Sequence, residues 1–248
     1  MNRCLPPVAT CLMAASCVGG SETGNPAVPT QFGLSVRSSD PTAVAVSTGA
    51  QSTVIDEAWV ALGQLMFLQD GDCGLLDSYP HIGSTLIAAD LASPDLSIAV
   101  DVNPTAYCGM VVPLENKTRD LTGAEPPELR DHSIVLRGHR SDGVEFTLAY
   151  SEQDELELQA LADSGSFDVR ESDGLLLAFD VATWMRAIDL DQAELETDGT
   201  ILIDEAHNVP LLRLFELNID CSLELFEDTN HSGRLETGDK PIARCASN

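Results

Sequence analysis

Cationic side chains are scarce in this 248-residue chain. Thirteen Lys plus Arg stand against 40 Asp plus Glu, a formal net charge of -27, and only Lys117 and Lys240 are lysines. A chain this acidic lacks the basic face that phosphate backbones require, which excludes nucleic acid as a partner, and it does not adsorb unaided to anionic lipid. Catalysis by a lysine amine is set aside for the same reason. Aromatic residues make up 5% of the chain, and no stretch beyond the N-terminus approaches the roughly 18 apolar residues of a membrane-spanning helix. A Gly-rich phosphate loop, HExxH, GxSxG and CxxC are all missing, which removes the motif basis for nucleotide binding, zinc proteolysis, esterase chemistry and a zinc site. The histidines, His81, His132, His139, His207 and His231, are scattered without paired spacing.

What is present is a 44% hydrophobic content, enough to bury a core in one large domain or two small ones. The acids form either a solvated surface suited to salty surroundings or a set of cation sites, and the solvated surface accounts for most of them.

The segment "MNRCLPPVATCLMAASC" has a basic start at Arg3, an apolar run, and small residues Ala14, Ala15 and Ser16 before Cys17. It resembles a bacterial lipoprotein signal, which implies removal of residues 1–16, acylation of Cys17 and attachment to a lipid bilayer through that residue. It departs from the pattern in its short, proline-broken apolar run and in Ala14, where leucine is usual; an ordinary secretory signal is the alternative. The Gly/Pro/Ser/Thr-rich stretch from Val18 to Thr30 is expected to be a flexible tether. Localisation is then the bacterial outer membrane or cell surface, with periplasm or secretion as the alternative.

Processing at Cys17 discards Cys4 and Cys11 and leaves Cys73, Cys108, Cys221 and Cys245. Four cysteines in an exported chain suggest two disulfides with three possible pairings. Proximity along the chain favours Cys73 with Cys108 and Cys221 with Cys245.

From Gln31 to about Val181 the pattern is β. Phe32, Leu34 and Val36 alternate with polar residues, as do those of "ELELQAL" (Glu155 to Leu161). "HSIVLRGHR" and "VEFTLAY" flank the hairpin signal "SDG", and "FDVRE" and "LLLAFDV" flank another. "VIDEAWVALGQLMFL" is long enough for one bent strand or two. Eight to ten short strands with regular turn signals predict a mainly β fold, an antiparallel β-sandwich over 31–181. This order of strands is similar to the prealbumin-like or Ig-like sandwiches of uncharacterised exported bacterial families such as the DUF4382-type domain, a resemblance that implies no catalytic residues.

A small C-terminal α-helical segment is expected over 182–248. "ATWMRAIDL" has helical spacing, and Asn208 is placed to cap a helix with Pro210 in its first turn. Leu212, Phe215, Ile219, Leu223 and Phe226 recur at steps of three and four, one apolar helical stripe. The end of that stretch, "CSLELF", reads as helix in preference to strand.

The stretch "DTNHSGRLETGD" follows this stripe. Its alternating oxygen-bearing side chains, a glycine at position 6, an apolar residue at position 8 and a closing acid fit the demand of calcium for several hard oxygens around a tight turn. It resembles EF-hand and dockerin loops, which implies calcium held by Asp228, Asn230, Ser232, the Arg234 carbonyl, Glu236 and Asp239. A poorer echo, "ELETDGTILIDE", offers Glu194, Glu196, Asp198, Thr200 and Glu205, with Ile201 and Leu235 pairing across the two loops. A hairpin turn at "TDG" followed by a strand is the equal alternative there. Between Asp189 and Asp239 fourteen acids face two bases, Arg213 and Arg234, a density that repels itself unless solvated or neutralised by cations. A Cys221–Cys245 disulfide would enclose the Asp228 loop.

These residues imply a non-catalytic, exported, lipid-anchored envelope protein with calcium as its ligand and a protein or glycan as a possible partner. A glycan-active enzyme and a purely structural protein without metal are the rivals. Glu155 and Glu157 share one face of a strand, but in so acidic a chain that face is expected to be solvated. The sequons at Asn116 and Asn230 are expected to be incidental, and Trp59 and Trp184 to be core residues.

Overall fold

The computed structural model describes residues 28–36, 44–48, 51–69, 87–91, 97–102, 106–116, 125–163, 165–169, 174–230, 232, 235–236 and 239–245. The expected signal segment, Cys17, Cys73 and Arg234 lie outside them. Within them run β1 (Val28–Val36), β2 (Val44–Thr48), β3 (Gln51–Leu62), β4 (Met66–Gln69), β5 (Ile87–Asp90), β6 (Ser97–Val102), β7 (Ala106–Pro113), β8 (Ile134–Arg140), β9 (Glu145–Tyr150) and β10 (Glu155–Ala160). β11 (Phe167–Asp168), β12 (Gly174–Phe179), helix α1 (Val181–Trp184), β13 (Ile201–Ile203), helix α2 (Val209–Ile219), β14 (Leu223–Asp228) and β15 (Pro241–Arg244) complete the order.

The strands form two sheets. The nine-stranded one runs β11-β7-β10-β15-β14-β12-β1-β6, with β4 also paired to β7; the six-stranded one runs β13-β9-β8-β3-β2, with β5 also paired to β3. The mainly β expectation holds, but the pairing is mixed. β1 lies parallel to β12 and β13 parallel to β9. Strand alternation records which face a residue occupies and says nothing about the direction of its neighbour. β1 also begins three residues before Gln31, inside the expected tether. Over Val28–Thr30 it pairs with β6, and its described pairing with β12 begins at Gln31.

Both sheets contribute to one core. Tyr107, Met110, Val112, Leu156, Leu158, Leu175, Leu177 and Phe179 from the larger sheet meet Ile55, Val60, Leu136, Phe146, Leu148 and Tyr150 from the smaller. β10 shows the local cause: Leu156 and Leu158 are buried while Glu155, Glu157 and Gln159 are exposed. β12 is buried throughout because both its faces are covered. Leu176 and Ala178 join Phe226 in a second cluster on the outer side of the sheet.

The C-terminal segment builds this same core. Trp184, Met185, Ile188, Leu212, Phe215 and Ile219 belong to the main cluster, and Trp184 packs edge-on to both Phe179 and Phe215. The expected helix from Asn208 to Phe226 stops at Ile219; Leu223–Asp228 is a strand paired with β12 over six residues. Steps of four and three from Phe215 to Phe226 satisfied a helical stripe, but "LEL" also alternates, and the neighbouring strands supply the hydrogen bonds that decide it. Asn208 does not cap α2 through its side chain. It adopts a left-handed conformation, accepts a hydrogen bond from the Glu194 N–H, and donates to the carbonyls of Glu194 and Leu202 (2.8, 3.0 and 2.7 Å). The "ATWMRAIDL" helix is only α1, capped by Asp180, which accepts from the Thr183 N–H at 2.9 Å. The first "SDG" turn closes the β8–β9 hairpin, with Gly143 at φ 88°. The second does not join a hairpin, since β11 pairs with β7 and β12 with β1 and β14.

Candidate cation-binding loop

The segment 228–239 connects β14 to β15, so a strand, not a helix, leads into it. Asp228 is the last residue of β14 and stands opposite Gly174 of β12, which leaves it 8% exposed. Its Oδ1 accepts from the Ser232 N–H at 3.1 Å, and Asn230 Oδ1 accepts from the same N–H at 3.0 Å. Two of the side-chain oxygens picked out by spacing are thus gathered on one amide. At the other end, the Glu236 N–H donates to Asp239 Oδ2 at 2.7 Å and the Asp239 N–H to the Glu236 carbonyl at 3.2 Å. The last β14–β15 pair is Phe226 with Pro241. Asp228 lies two residues beyond one member and Asp239 two residues before the other, so the hairpin sets the first and twelfth positions at the mouth of the loop.

Leu235, at position 8, packs against Leu176, Ala178 and Phe226 on the outer side of the larger sheet. This folds the loop back over the strand that starts it. The expected pairing of Leu235 with Ile201 does not form. Ile201 is paired with Phe146 and bridged to Leu195. An apolar residue in a turn takes whichever covered patch its own hairpin brings near, and the hairpin β14–β15 brings Leu235 to the larger sheet.

The second stretch folds as the hairpin turn. The Glu196 N–H donates to the Thr200 carbonyl at 2.8 Å, the Gly199 N–H donates to the Glu196 carbonyl at 3.0 Å, and Gly199 takes φ 90°, which favours glycine. The Asp198 carboxylate accepts from the Thr200 N–H and hydroxyl (3.0 and 2.8 Å), and these bonds hold its pKa below the usual value. Glu205 accepts from the Ser151 hydroxyl, and the backbone of Glu194 is tied to Asn208. Glu194, Glu196, Asp198, Thr200 and Glu205 therefore belong to a turn and a strand end. Beyond them, Asp204 accepts from the N–H groups of Ala206 and His207 and meets the His207 ring at 2.8 Å, which raises the His207 pKa.

Cys221 and Cys245 are disulfide-bonded, with Cα atoms 5.3 Å apart. Cys108 is also a disulfide cysteine, buried in β7 beside β4; Cys73, the partner that proximity favours, lies outside the described residues. Asn116 is engaged rather than displayed: its amide donates to the Ser151 carbonyl and accepts from Gln153 at 2.6 Å.

One polar groove escaped the sequence reading. A register shift in β3 between Ile55 and Glu57 brings the consecutive acids Asp56 and Glu57 to the same side of the sheet. Asp56 meets His139 at 2.7 Å, and Arg137 lies between Glu57 at 3.6 Å and Glu128 at 2.6 Å. The groove holds about 480 Å³ and is also lined by Glu145, Thr147 and Thr200. Alternation puts adjacent residues on opposite faces, so only the bulge could reveal this site. Among the described residues, no three or more His, Cys, Asp and Glu side chains gather as a metal cluster. The 228–239 loop differs in drawing on Asn230 and Ser232 as well.

Fold and loop together define a mainly β protein of two sheets sharing one core, with an acidic loop at the mouth of a hairpin. No protein-family model and no curated protein matches the chain. Among solved structures it is similar to MbnP from Methylosinus trichosporium, at 10% identity and a TM-score of 0.41, over 69% of this chain and 81% of that one.

Proposed function

We propose that this is an exported envelope protein, lipid-anchored through Cys17, that binds calcium in the 228–239 loop and serves a binding or structural role without catalysis. The observation that carries the calcium reading is the convergence of Asp228 Oδ1 and Asn230 Oδ1 on one backbone N–H, with Asp239 brought to the same mouth by the β14–β15 register. Calcium takes six to eight oxygen ligands with flexible geometry, a set that carboxylates, an amide, a hydroxyl and a backbone carbonyl supply together.

In this role calcium is a staple. It neutralises the acids of a self-repelling segment and, by binding the native state alone, stabilises it by about 2.7 kcal/mol at a hundredfold excess over Kd. Glu155 and Glu157, a pair a glycosidase could use, both face solvent on β10, which supports a binding role over a catalytic one. Thermal melts in millimolar calcium and in EDTA test the reading. Calcium is expected to raise Tm in the parent and not in Asp228→Ala; equal melts in both media for the parent would refute it. Intact-mass analysis of the membrane fraction tests acylation at Cys17.

A further inference from the structure

The C-terminal strand lies inside the larger sheet, not at its edge. β15 is four residues long and is inserted between β10 and β14. Its ladder is short. Three pairs join it to β14 (Glu224 with Arg244, Leu225 with Ala243, Phe226 with Pro241) and two join it to β10 (Gln159 with Arg244, Ala160 with Ala243); beyond β10 the Leu161 N–H donates to the Ile242 carbonyl at 2.9 Å, and Pro241 has no N–H to donate. β12 and β14, by contrast, share six pairs, and β10 and β7 share five. Ala243 is the one side chain of β15 in the main core; Ile242 is half-buried against it. A strand with so few partners opens locally at low free energy unless something else holds it.

What holds its end is covalent. Cys245, directly after Arg244, is bonded to Cys221, two residues before β14 begins. Cys221 is exposed and lines an open groove of about 420 Å³ with Asp180, Arg186 and Asp220. The exposed Cys221 is therefore the end of the bond that a reductant would meet.

We propose that the Cys221–Cys245 disulfide is a redox latch on β15, and that its reduction releases Pro241–Arg244 from between β10 and β14 while the rest of the fold stays closed. Release also carries Asp239 away from Asp228, which remains fixed opposite Gly174, and so switches off the 228–239 loop; this second consequence rests on the calcium reading, the first does not. The chemistry is thiol–disulfide exchange with a dithiol. One dithiol thiolate attacks the Cys221 sulfur, and Cys245 leaves as a thiolate that takes up a proton. The second dithiol sulfur then displaces Cys221, which is protonated in turn. Two electrons and two protons pass to the protein, and the dithiol departs as its own disulfide.

Hydrogen exchange of the full chain, metal-free, before and after dithiothreitol tests the latch, with intact mass confirming that the bond is reduced. The amides of Ile242–Arg244 are expected to exchange at least ~10-fold faster in the reduced chain, with those of Leu175–Phe179 unchanged. The near-UV circular dichroism of the Phe179–Trp184–Phe215 cluster is expected to persist, and the double variant Cys221→Ser/Cys245→Ser to match the reduced chain. Unchanged exchange at Ile242–Arg244 would overturn the proposal. So would loss of the near-UV signal in the double variant, which would make the disulfide a staple of the whole fold. Calcium titration by calorimetry tests the coupling, with binding at least ~10-fold weaker in the reduced chain expected from the lost preorganisation. Equal affinity in both forms would refute the coupling, and no binding by the oxidised chain would refute the calcium reading, while the exchange data judge the latch separately.

Discussion

The indole N–H of Trp184 donates to the hydroxyl of Ser222, the residue that follows the disulfide cysteine Cys221. Both are buried, and the same hydroxyl donates to the Ile219 carbonyl at 2.7 Å. One serine thus satisfies the only polar atom of the largest core side chain and closes the turn between α2 and β14. Ser222→Ala leaves the indole N–H unpaired in the core, and urea unfolding is expected to show a loss of about 1–3 kcal/mol.

Gly138 and Gly143 separate contact from conformation. A Cβ on Gly138 would stand 2.1 Å from the Val54 carbonyl oxygen and 2.8 Å from the Phe146 ring, whereas one on Gly143 meets nothing within 4 Å. Gly138→Ala is expected to cost about 3 kcal/mol or to prevent folding, because the nearest obstacle is backbone in a paired strand. Gly143→Ala incurs only the strain of positive φ, about 1 kcal/mol. Thermal melts of the two variants compare them directly.

Leu235 is half-buried on the outer patch of Leu176, Ala178 and Phe226. Leu235→Ala is expected to lower stability by about 1 kcal/mol, the share of a leucine transfer energy that partial burial supplies. It is also expected to weaken calcium binding, since that contact folds the loop onto the sheet. A variant that loses stability but keeps the parent affinity in calorimetry would separate the patch from the loop.

The Asp204–His207 turn has a defined pH window. The hydrogen bond and charge of Asp204 raise the His207 pKa; burial pushes Asp204 up, but hydrogen bonds from Ala206 and His207 outweigh it and hold it low. A raised histidine contributes stability that is complete below its unfolded value and is lost as pH rises through the folded one. A depressed aspartate contributes above its unfolded value and loses that contribution as pH falls. The turn is therefore tightest above the unfolded aspartate value and below the unfolded histidine value, and it loosens as pH falls toward the lowered Asp204 value or rises toward the raised His207 value. An NMR titration of His207 is expected to return to about 6.5 in Asp204→Asn; no change would show that the pair is not coupled.

Glu128 behaves like Asp204. Burial raises it, and its bond to Arg137, its backbone and the Arg137 charge together bring it below the usual carboxylate range. Its contribution is lost on acidification, and partial exposure keeps it small. Arg137→Ala is expected to raise the Glu128 pKa, read by carboxylate NMR.

Much of the architecture is written locally. "ELELQAL" alternates as β10 does, "SDG" at 141–143 closes a hairpin, and Trp184 and Phe215 were marked for the core by apolar spacing alone. The pairing of Cys221 with Cys245 followed from nearness in the chain, and the oxygen-bearing positions of the Asp228 loop could be read directly. These features depend on residues within a few positions of one another, where periodicity and turn chemistry act.

Other features were settled by partners distant in sequence. Leu223 to Phe226 suits helix and strand alike, and β12 and β15 made it a strand. "TDG" at 197–199 suits a cation loop and a hairpin alike, and Asn208, Ser151 and Phe146 made it a hairpin. The parallel run of β1 beside β12 left no trace in either strand, and the placing of Glu57 on the same side as Asp56 needed a bulge that alternation cannot express. Residue composition and spacing therefore determined the acidic surface, the β content and the candidate ligands. Which strand lies beside which, and so which carboxylates share a loop mouth, was decided only in the folded sheet, because backbone hydrogen bonds between strands join residues that no local pattern links.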